Sequence, residues 1–437
     1  MVAAAILISI LTGFLLIRAI WPAEAPFGWD ARGDWFRLGA GAMLGTGLTS
    51  IPAFWMPSSI AVDLAMLALA VLLFLMFGRR AASQPPEPAS ETPKGLLWAM
   101  LAIFAIFVVA YITMAQPNPY GELDSWRVWN FRARFLFRGG TLAELANPLL
   151  QYTHPELPYL VTASVLRTWR WAGAESPLGP MLLSGLYGFS LIAVLFGAIR
   201  ALRGQTQSLL MLAAILASTA VTGNAASQFA DVPFAALLAT SFASLVLAWN
   251  LGEPRLYWLA GLAAGLLPWT KNEGWFYAIP LLAVAIWKGG LAGGLRGILG
   301  AIPGLAAAAY FLLTVAPSTP GTQAGFPALA GAMVSRLLSP NLFGWVITPV
   351  ITLAIYSYFM RFRRNRGELR NAEWITAALL FAGGVASILY RDDNPGDSAA
   401  FRILLHLWPV ILTVLFVEYP TPEELTPQGV KTAKLRK

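Results

Sequence analysis

The chain has 437 residues, of which 57% are hydrophobic and 12% are charged, and its mean hydropathy is +0.63. This composition excludes an ordinary soluble domain, and the absence of cysteine excludes disulfides and thiolate metal sites. The formal net charge of +8 is carried largely by arginines and lysines at the ends of apolar runs, so it indicates membrane topology rather than nucleic-acid binding.

Apolar runs long enough to cross a bilayer recur along the whole chain. The sequence predicts an all-α polytopic membrane bundle with about 12 to 13 crossings. The first run lacks the basic start of a signal peptide and is interpreted as a retained helix. The expected spans are 3–19, 38–57, 60–78, 97–115, 178–199, 207–222, 232–250, 256–270, 275–288, 298–315, 342–360, 373–390 and 402–418.

An excess of arginine and lysine marks the cytoplasmic side of a membrane protein, which predicts an external amino terminus and a cytoplasmic carboxyl terminus. The basic segment 127–138 is an exception, because it falls on the external side. Its alternation of apolar residues and arginines predicts an interfacial helix in the first large external loop. The alternative, a cytoplasmic loop and a reversed orientation, stays open. The expected external segments are 117–155, 223–231, 271–274, 316–340 and 391–401.

A composition change divides the chain. Residues 82–96 form a linker rich in Pro, Ser and Glu. The amino-terminal helices before it (1–81) are interpreted as an addition to a working transmembrane core at 97–420. Residues 421–437 form a basic cytoplasmic tail.

The stretch 117–159 is a polar segment in an otherwise apolar chain, and it holds the first candidate site residues. Asp124, in GELDSW, is expected to act as a general base or to orient an acceptor hydroxyl. The alternative is a helix N-cap, a common role of aspartate at a helix start. Glu122 and Trp126 are expected contacts of the acceptor or of a sugar.

Two further candidates lie next to apolar segments. His154, in THPELPY, is expected to bind phosphate, sugar or metal unless it only caps the loop, and Glu156 is a candidate contact beside it. The following segment (157–169) is too short to cross the membrane. Asp231 opens a span, either as a second catalytic carboxylate or as an acid favoured by the helix dipole.

The motif TKNEGW (270–275) places charge between two spans, where it is costly to hold. Lys271 is expected to neutralise a lipid-linked phosphate. Glu273 is interpreted as its salt-bridge partner or as a contact of the acceptor.

The last external loop and the following helix hold further charged residues. Arg402 is expected to clamp a phosphate. His406, one turn deeper, is expected to be a buried polar contact rather than a ligand. Asp392 and Asp393 suggest a divalent metal, although adjacent acids are commonly solvated loop charges.

On these residues the chain, over roughly 97–410, resembles the C-type (GT-C) membrane glycosyltransferase superfamily, which includes protein O-mannosyltransferases and bacterial aminoarabinose transferases. THPELPYL is similar to the family's His-Pro-Pro-Leu-like run, although Glu156 stands in place of the second proline. The other matching features are the acidic first external loop with Asp124, FADVPFA around Asp231, TKNEGW around Lys271, and FRILLHLWP with Arg402.

The resemblance implies transfer of a sugar from a polyprenyl-phosphate donor to a hydroxyl of a glycan, lipid or protein, with inversion of the anomeric centre. It implies a bacterial inner membrane with the site on the periplasmic face. The chemistry needs a carboxylate for the acceptor and a cation for the departing phosphate, while a divalent metal is optional. The candidate carboxylates are Asp124 and Asp231, and the candidate cations are Lys271, Arg402, His154 and Arg127.

Two other function classes stay open. A polymerase or ligase that uses polyprenyl carriers would be expected to have a larger arginine-rich external loop. A transporter or flippase would be expected to carry charged groups along a pore, whereas Asp63 is the one acid well inside an expected span.

Overall fold

The computed structural model describes residues 1–23, 27–30, 33–56, 60–78, 94–316, 370–390 and 398–421. Within these ranges every regular element is helical and no strand occurs, as the sequence predicts. Most of the predicted linker (82–96), the expected span 342–360 and nearly all of the tail (421–437) lie outside the described residues.

The helices follow one another with short connections. The α-helices are α1 (Val2–Ile20), α2 (Asp34–Trp55), α3 (Ile60–Phe77), α4 (Lys94–Ala115), α5 (Asn130–Phe137), α6 (Leu142–Leu145), α7 (Leu160–Ala172), α8 (Leu178–Arg203), α9 (Gln205–Leu216), α10 (Thr219–Ala226), α11 (Asp231–Leu251), α12 (Leu256–Thr270), α13 (Gly274–Tyr310), α14 (Arg370–Tyr390) and α15 (Ser398–Glu418). Short π-helical turns occupy Ser125–Trp129 and Phe311–Val315, and a 3-10 turn occupies Pro148–Thr153.

Among the described residues, six helical segments are long and apolar enough to cross a membrane. A bent pair, Gln205–Leu216 with Ala220–Ala226, is a further candidate with 62° between its halves. The chain therefore has the helices of a multi-pass membrane protein. The six segments are Val2–Ile20, Ile60–Phe77, Lys94–Ala115, Leu178–Arg203, Asp231–Leu251 and Gly274–Val315.

The last of these segments is a hairpin rather than one straight helix. Gly290 has a φ of 60° and a ψ of −165°, which breaks the helix and which glycine adopts without steric cost. A Cβ built on Gly294 would lie 3.1 Å from the Cα of Ile286, although eight residues of a straight helix span about 12 Å. The chain therefore reverses at Gly290, in agreement with the two spans expected at 275–288 and 298–315.

The second arm of the hairpin packs closely on α12 through small residues. A Cβ built on Gly261 would lie 1.9 Å from the carbonyl oxygen of Gly297, and one on Gly265 would lie 2.2 Å from that of Ala301. Close backbone approach of this kind drives helix association in a membrane, because lipid tails are as apolar as the side chains.

We expect Gly261→Ala to destabilise the protein by about 1–3 kcal/mol, because the added methyl group overpacks this contact. Gly95→Ala in α4 is the matched control, since a Cβ there meets nothing within 4 Å. Both changes add the same helix propensity. Thermal unfolding of the purified full chain should give a lower Tm for the first variant alone, and equal Tm values would contradict the close packing.

A buried ion pair ties the amino-terminal helices to the rest of the bundle. Arg167 of α7 donates from Nε to Asp63 Oδ2 of α3 at 2.7 Å and from Nη1 to Ser9 Oγ of α1 at 2.8 Å. Trp171 Nε1 donates to the same Asp63 oxygen at 2.6 Å. These helices therefore pack into the core, while the interpretation of residues 1–81 as a functional addition stays a prediction.

Aromatic side chains pack together at one end of the bundle. The ring of Phe54, near the end of α2, lies 4.8 Å from that of Tyr159 before α7 and 5.3 Å from that of Trp269 near the end of α12. Tyr159 also contacts Phe311, at 5.1 Å between ring centroids. The helix ends that the sequence places on the external side therefore lie together.

Candidate functional site

The start of the first polar loop is anchored to the turn that precedes α11. Ser125 Oγ donates to the carbonyl oxygen of Ser227 at 2.6 Å, and Asn130 Nδ2 donates to Gln228 Oε1 at 2.9 Å. Gln228 Nε2 donates in turn to the carbonyl oxygen of Pro119 at 3.0 Å. Gln228 holds a φ of 60°, which is uncommon for a residue other than glycine. These bonds bring two segments about 100 residues apart in sequence against each other, as the separations of their bonded pairs show.

Asp124, Arg127, His154 and Glu156 form a half-exposed polar group at this end. Arg127 Nη2 lies 3.8 Å from Asp124 Oδ1 and 3.5 Å from His154 Nε2. His154 Nδ1 lies 2.9 Å from Glu156 Oε1, so Nδ1 donates to the carboxylate and Nε2 faces the guanidinium. Asp124 makes no side-chain cap hydrogen bond, so its N-cap interpretation has no support in the geometry.

Arg132 fixes the loop that carries His154. Its Nη1 donates to the carbonyl oxygen of Leu157 at 2.8 Å and to that of His154 at 3.3 Å, and Nη2 donates to that of Pro158 at 3.3 Å. The guanidinium also lies 4.4 Å from the ring centroid of Tyr159. Arg132 is fully buried, which differs from the exposed arginine face expected for an interfacial helix at 127–138.

His154 and Arg132 together determine the charge state of Glu156. Burial raises the pKa of Glu156, but the hydrogen bond and charge of His154, together with the charge of Arg132, outweigh it and hold the pKa below its usual range. A carboxylate whose pKa is lowered by folding stabilises the fold above its unfolded pKa. That contribution is lost as the pH falls through the lowered folded value.

We therefore expect Glu156→Gln to lower the Tm at neutral pH, and the difference from wild type to close as the pH falls below about 4, the usual range of glutamate. Melting curves of the purified full chain from neutral to acidic pH measure this difference. Glu122→Gln, which alters an exposed carboxylate of the same loop, serves as the control. A difference that stays constant with pH would contradict the expectation.

A second, buried group lies between α11, α12, α13 and α15. Lys271 Nζ contacts Asp231 Oδ1 at 2.8 Å and Glu273 Oε1 at 2.9 Å. His406 Nε2 contacts the same Asp231 oxygen at 2.9 Å. The side chains of Lys271 and Asp231 are 2% and 1% exposed. The lysine therefore faces two carboxylates inside the protein rather than the surface.

Local structure explains how this second group forms. The residues 271–273 are all that separates α12 from α13, and Lys271 has extended backbone angles there. A Cβ built on Gly274 would lie 2.2 Å from the carbonyl carbon of Leu267, so only glycine allows α13 to begin this close to α12. Lys271 is thereby directed inward to Asp231 at the start of α11.

Asn272 joins the two groups. Its Nδ2 donates to the carbonyl oxygen of Glu156 at 3.1 Å, while its neighbour Lys271 reaches Asp231. Polar contacts therefore continue from Asp124 through the His154 loop to His406. Most of the predicted site residues belong to one polar end of the bundle.

Some predicted residues stand apart from these contacts. Glu122 and Trp126 are exposed, and Trp126 is 54% accessible. The side chain of Arg402 lies outside the described residues, as do Asp392 and Asp393. In the part of the chain that the structure describes, no group of three or more histidines and acids is arranged to hold a metal ion.

Sequence reasoning gave no role to three residues that organise the site: Gln228, Asn272 and Arg132. Asn272 lies within TKNEGW and Gln228 lies three residues before Asp231, so both were adjacent to a motif. Their partners lie 98 to 116 residues away, a distance that no local pattern reports. Arg132 was interpreted by periodicity as an exposed charge.

No protein-family model matches this chain, and comparisons with the curated proteins and with the solved structures return no match.

Proposed function

We propose that this protein is a membrane glycosyltransferase that moves a sugar from a polyprenyl-phosphate donor to an acceptor hydroxyl. One observation carries the proposal: the continuous polar contacts from Asp124 through Arg127, His154 and Glu156 to Lys271 and Asp231 at one end of an apolar bundle. Charged groups held at a membrane boundary are costly to order unless a ligand uses them. A lipid-linked sugar phosphate presents its reacting bond at this level.

Asp124 is the proposed acceptor-side carboxylate. Its side chain is 29% exposed, whereas that of Asp231 is 1% exposed and contacts Lys271 and His406. Asp124 therefore takes the proton of the acceptor hydroxyl, or orients it, and Asp231 holds the groups behind it. The acceptor oxygen bonds to the anomeric carbon as the bond from that carbon to the phosphate oxygen breaks. Attack opposite the leaving group inverts the anomeric centre.

Arg127 and His154 are the proposed contacts of the departing phosphate. The side chain of Arg127 is 32% exposed, and its buried Nε has no hydrogen-bond partner. A guanidinium stabilises the phosphate charge that develops as the bond breaks. Arg402 is proposed as a further cation on α15. Because Lys271 is enclosed by two carboxylates, its proposed role is to position Asp231 behind the phosphate site.

The proposed setting is the inner membrane of a bacterium, with the site on the periplasmic face. The proposed topology has about 12 to 13 crossings and an external amino terminus. The prenyl tail lies in the bilayer beside the bundle, and the acceptor, a hydroxyl of a glycan, lipid or protein, enters from water. The leaving group is already charged, so a divalent metal is an optional addition.

Binding of polyprenyl phosphate to the full chain in nanodiscs tests this proposal. Arg127→Ala is expected to weaken binding about tenfold or more, since hydrogen bonds to charged groups contribute about 1.5–3 kcal/mol. Arg138→Ala is the matched control, because Arg138 lies in the same basic segment, is 66% exposed and pairs with Glu175. Absence of binding by the wild type, or equal losses in both variants, would refute the proposal.

A further inference from the structure

His406 carries a buried nitrogen that the contacts described so far leave unused. Its Nε2 lies 2.9 Å from Asp231 Oδ1, while its Nδ1 is buried and makes no hydrogen bond. The residue is 0% exposed. Buried polar atoms are nearly always paired in folded proteins, so an unpaired one points to a missing group.

The contact with Asp231 fixes which ring nitrogen carries the proton. An ionised carboxylate only accepts hydrogen bonds, so the Nε2 of His406 donates. A neutral ring then presents a lone pair at Nδ1. The ring itself is held in place, because its centroid lies 4.4 Å from that of Phe234. Nδ1 is therefore an oriented acceptor that waits for a donor.

The charges around His406 select the kind of donor. Among the described side chains of this group, Asp231 and Glu273 supply two carboxylates against the single ammonium of Lys271. This excess of negative charge disfavours an anion such as phosphate next to Nδ1. A neutral hydroxyl satisfies the lone pair without adding charge.

We infer that Nδ1 of His406 accepts a hydrogen bond from a hydroxyl of the sugar that the lipid donor carries. The inference rests on the proposed function and assigns the sugar a place that the sequence did not provide. Arg127 and His154 then contact the phosphate, and His406 contacts the sugar. His406 is a binding residue in this account, and no bond is made or broken on it.

Two substitutions separate the two ring nitrogens. In His406→Gln the side-chain amide reaches the position of Nε2, so the donation to Asp231 is kept and the Nδ1 acceptor is lost. In His406→Asn the shorter amide reaches the position of Nδ1, so an acceptor is kept and the contact with Asp231 is lost. A role limited to holding Asp231 predicts that Asn is the more damaging change.

The experiment compares the affinity of the full chain in nanodiscs for bare polyprenyl phosphate and for a panel of polyprenyl-phosphoryl pentoses and hexoses. The wild type is expected to bind at least one sugar lipid more tightly than the bare lipid. His406→Gln should lose about three- to tenfold of that preference, the contribution of one neutral hydrogen bond, with unchanged affinity for bare polyprenyl phosphate. His406→Asn should keep more of the preference.

The outcomes distinguish the inference from the proposed function. If the wild type does not bind bare polyprenyl phosphate, the proposed function is refuted and the inference with it. If it binds the bare lipid, three results overturn the inference alone: no preference for any sugar lipid, an undiminished preference in His406→Gln, or a larger loss in His406→Asn.

Discussion

Replacing Asp124 with asparagine is expected to reduce sugar transfer about a hundredfold or more while binding of the lipid donor survives, because general-base catalysis contributes about a hundred- to ten-thousandfold. The amide keeps the size of the carboxylate and loses its ability to take a proton. Arg127, which lies 3.8 Å from Asp124, keeps its place. The measurement is release of polyprenyl phosphate from polyprenyl-phosphoryl sugars in the presence of a cell-envelope extract as the acceptor source.

The matched control for this variant is Glu144→Gln. Glu144 is an exposed acid of the same external loop, and its carboxylate completes a capping box with Thr141. The control should transfer sugar at the wild-type rate, because that carboxylate faces away from the polar contacts of the site. Unchanged transfer by Asp124→Asn would remove Asp124 from the chemistry and with it the proposed reaction.

Replacing Lys271 with methionine is expected to lower stability by about 3–5 kcal/mol, since removing one partner of a buried ion pair leaves buried charge uncompensated. The ammonium contacts both Asp231 and Glu273, and all three side chains are less than a tenth exposed. Methionine has a similar volume, so a packing defect contributes little. The measurement is the Tm of the purified full chain.

Two comparisons isolate the buried charge. Lys288→Met changes a lysine near the Gly290 turn whose ammonium lies 4.6 Å over the ring of Trp287, and it should leave the Tm nearly unchanged. The double variant Lys271→Met with Asp231→Asn should lose less stability than the sum of the two single variants, because it removes a cation and an anion together. Additive losses would show that the lysine and the aspartate act independently.

Local patterns predicted those parts of the fold that depend on composition along the chain. Apolar length located α1, α3, α4, α8 and α11 within a few residues of their observed bounds, because a span must match the thickness of the bilayer. The hairpin at Gly290 was expected as two spans separated by the loop 289–297. The structure instead resumes the helix directly after one glycine.

The sequence also predicted that acids and bases from separate loops belong to one face, and the contact of Asn272 with Glu156 agrees with that expectation. It did not predict their pairing. Lys271 was expected to meet a ligand, yet its neighbours Asp231 and Glu273 enclose it. The contact of His406 with Asp231 joins residues 175 apart in sequence, so only the packing of α15 against α11 reveals it.

The burial of Arg132 illustrates the same limit. A periodicity of apolar and basic residues at 127–138 suits a helix at the lipid headgroups. The three backbone carbonyls that receive Arg132 belong to a loop more than 20 residues later, and they replace the water that the guanidinium would otherwise bind. A one-dimensional pattern contains no information about that loop.

An experimental structure of the full chain in nanodiscs with bound polyprenyl phosphate tests the central claim most directly. The account predicts the lipid phosphate within hydrogen-bond distance of Arg127 and His154, with Asp124 facing the same space and Lys271 still between Asp231 and Glu273. Lipid phosphate held instead at the opposite end of the bundle, beside Arg200 and Arg203 at the end of α8, would contradict it.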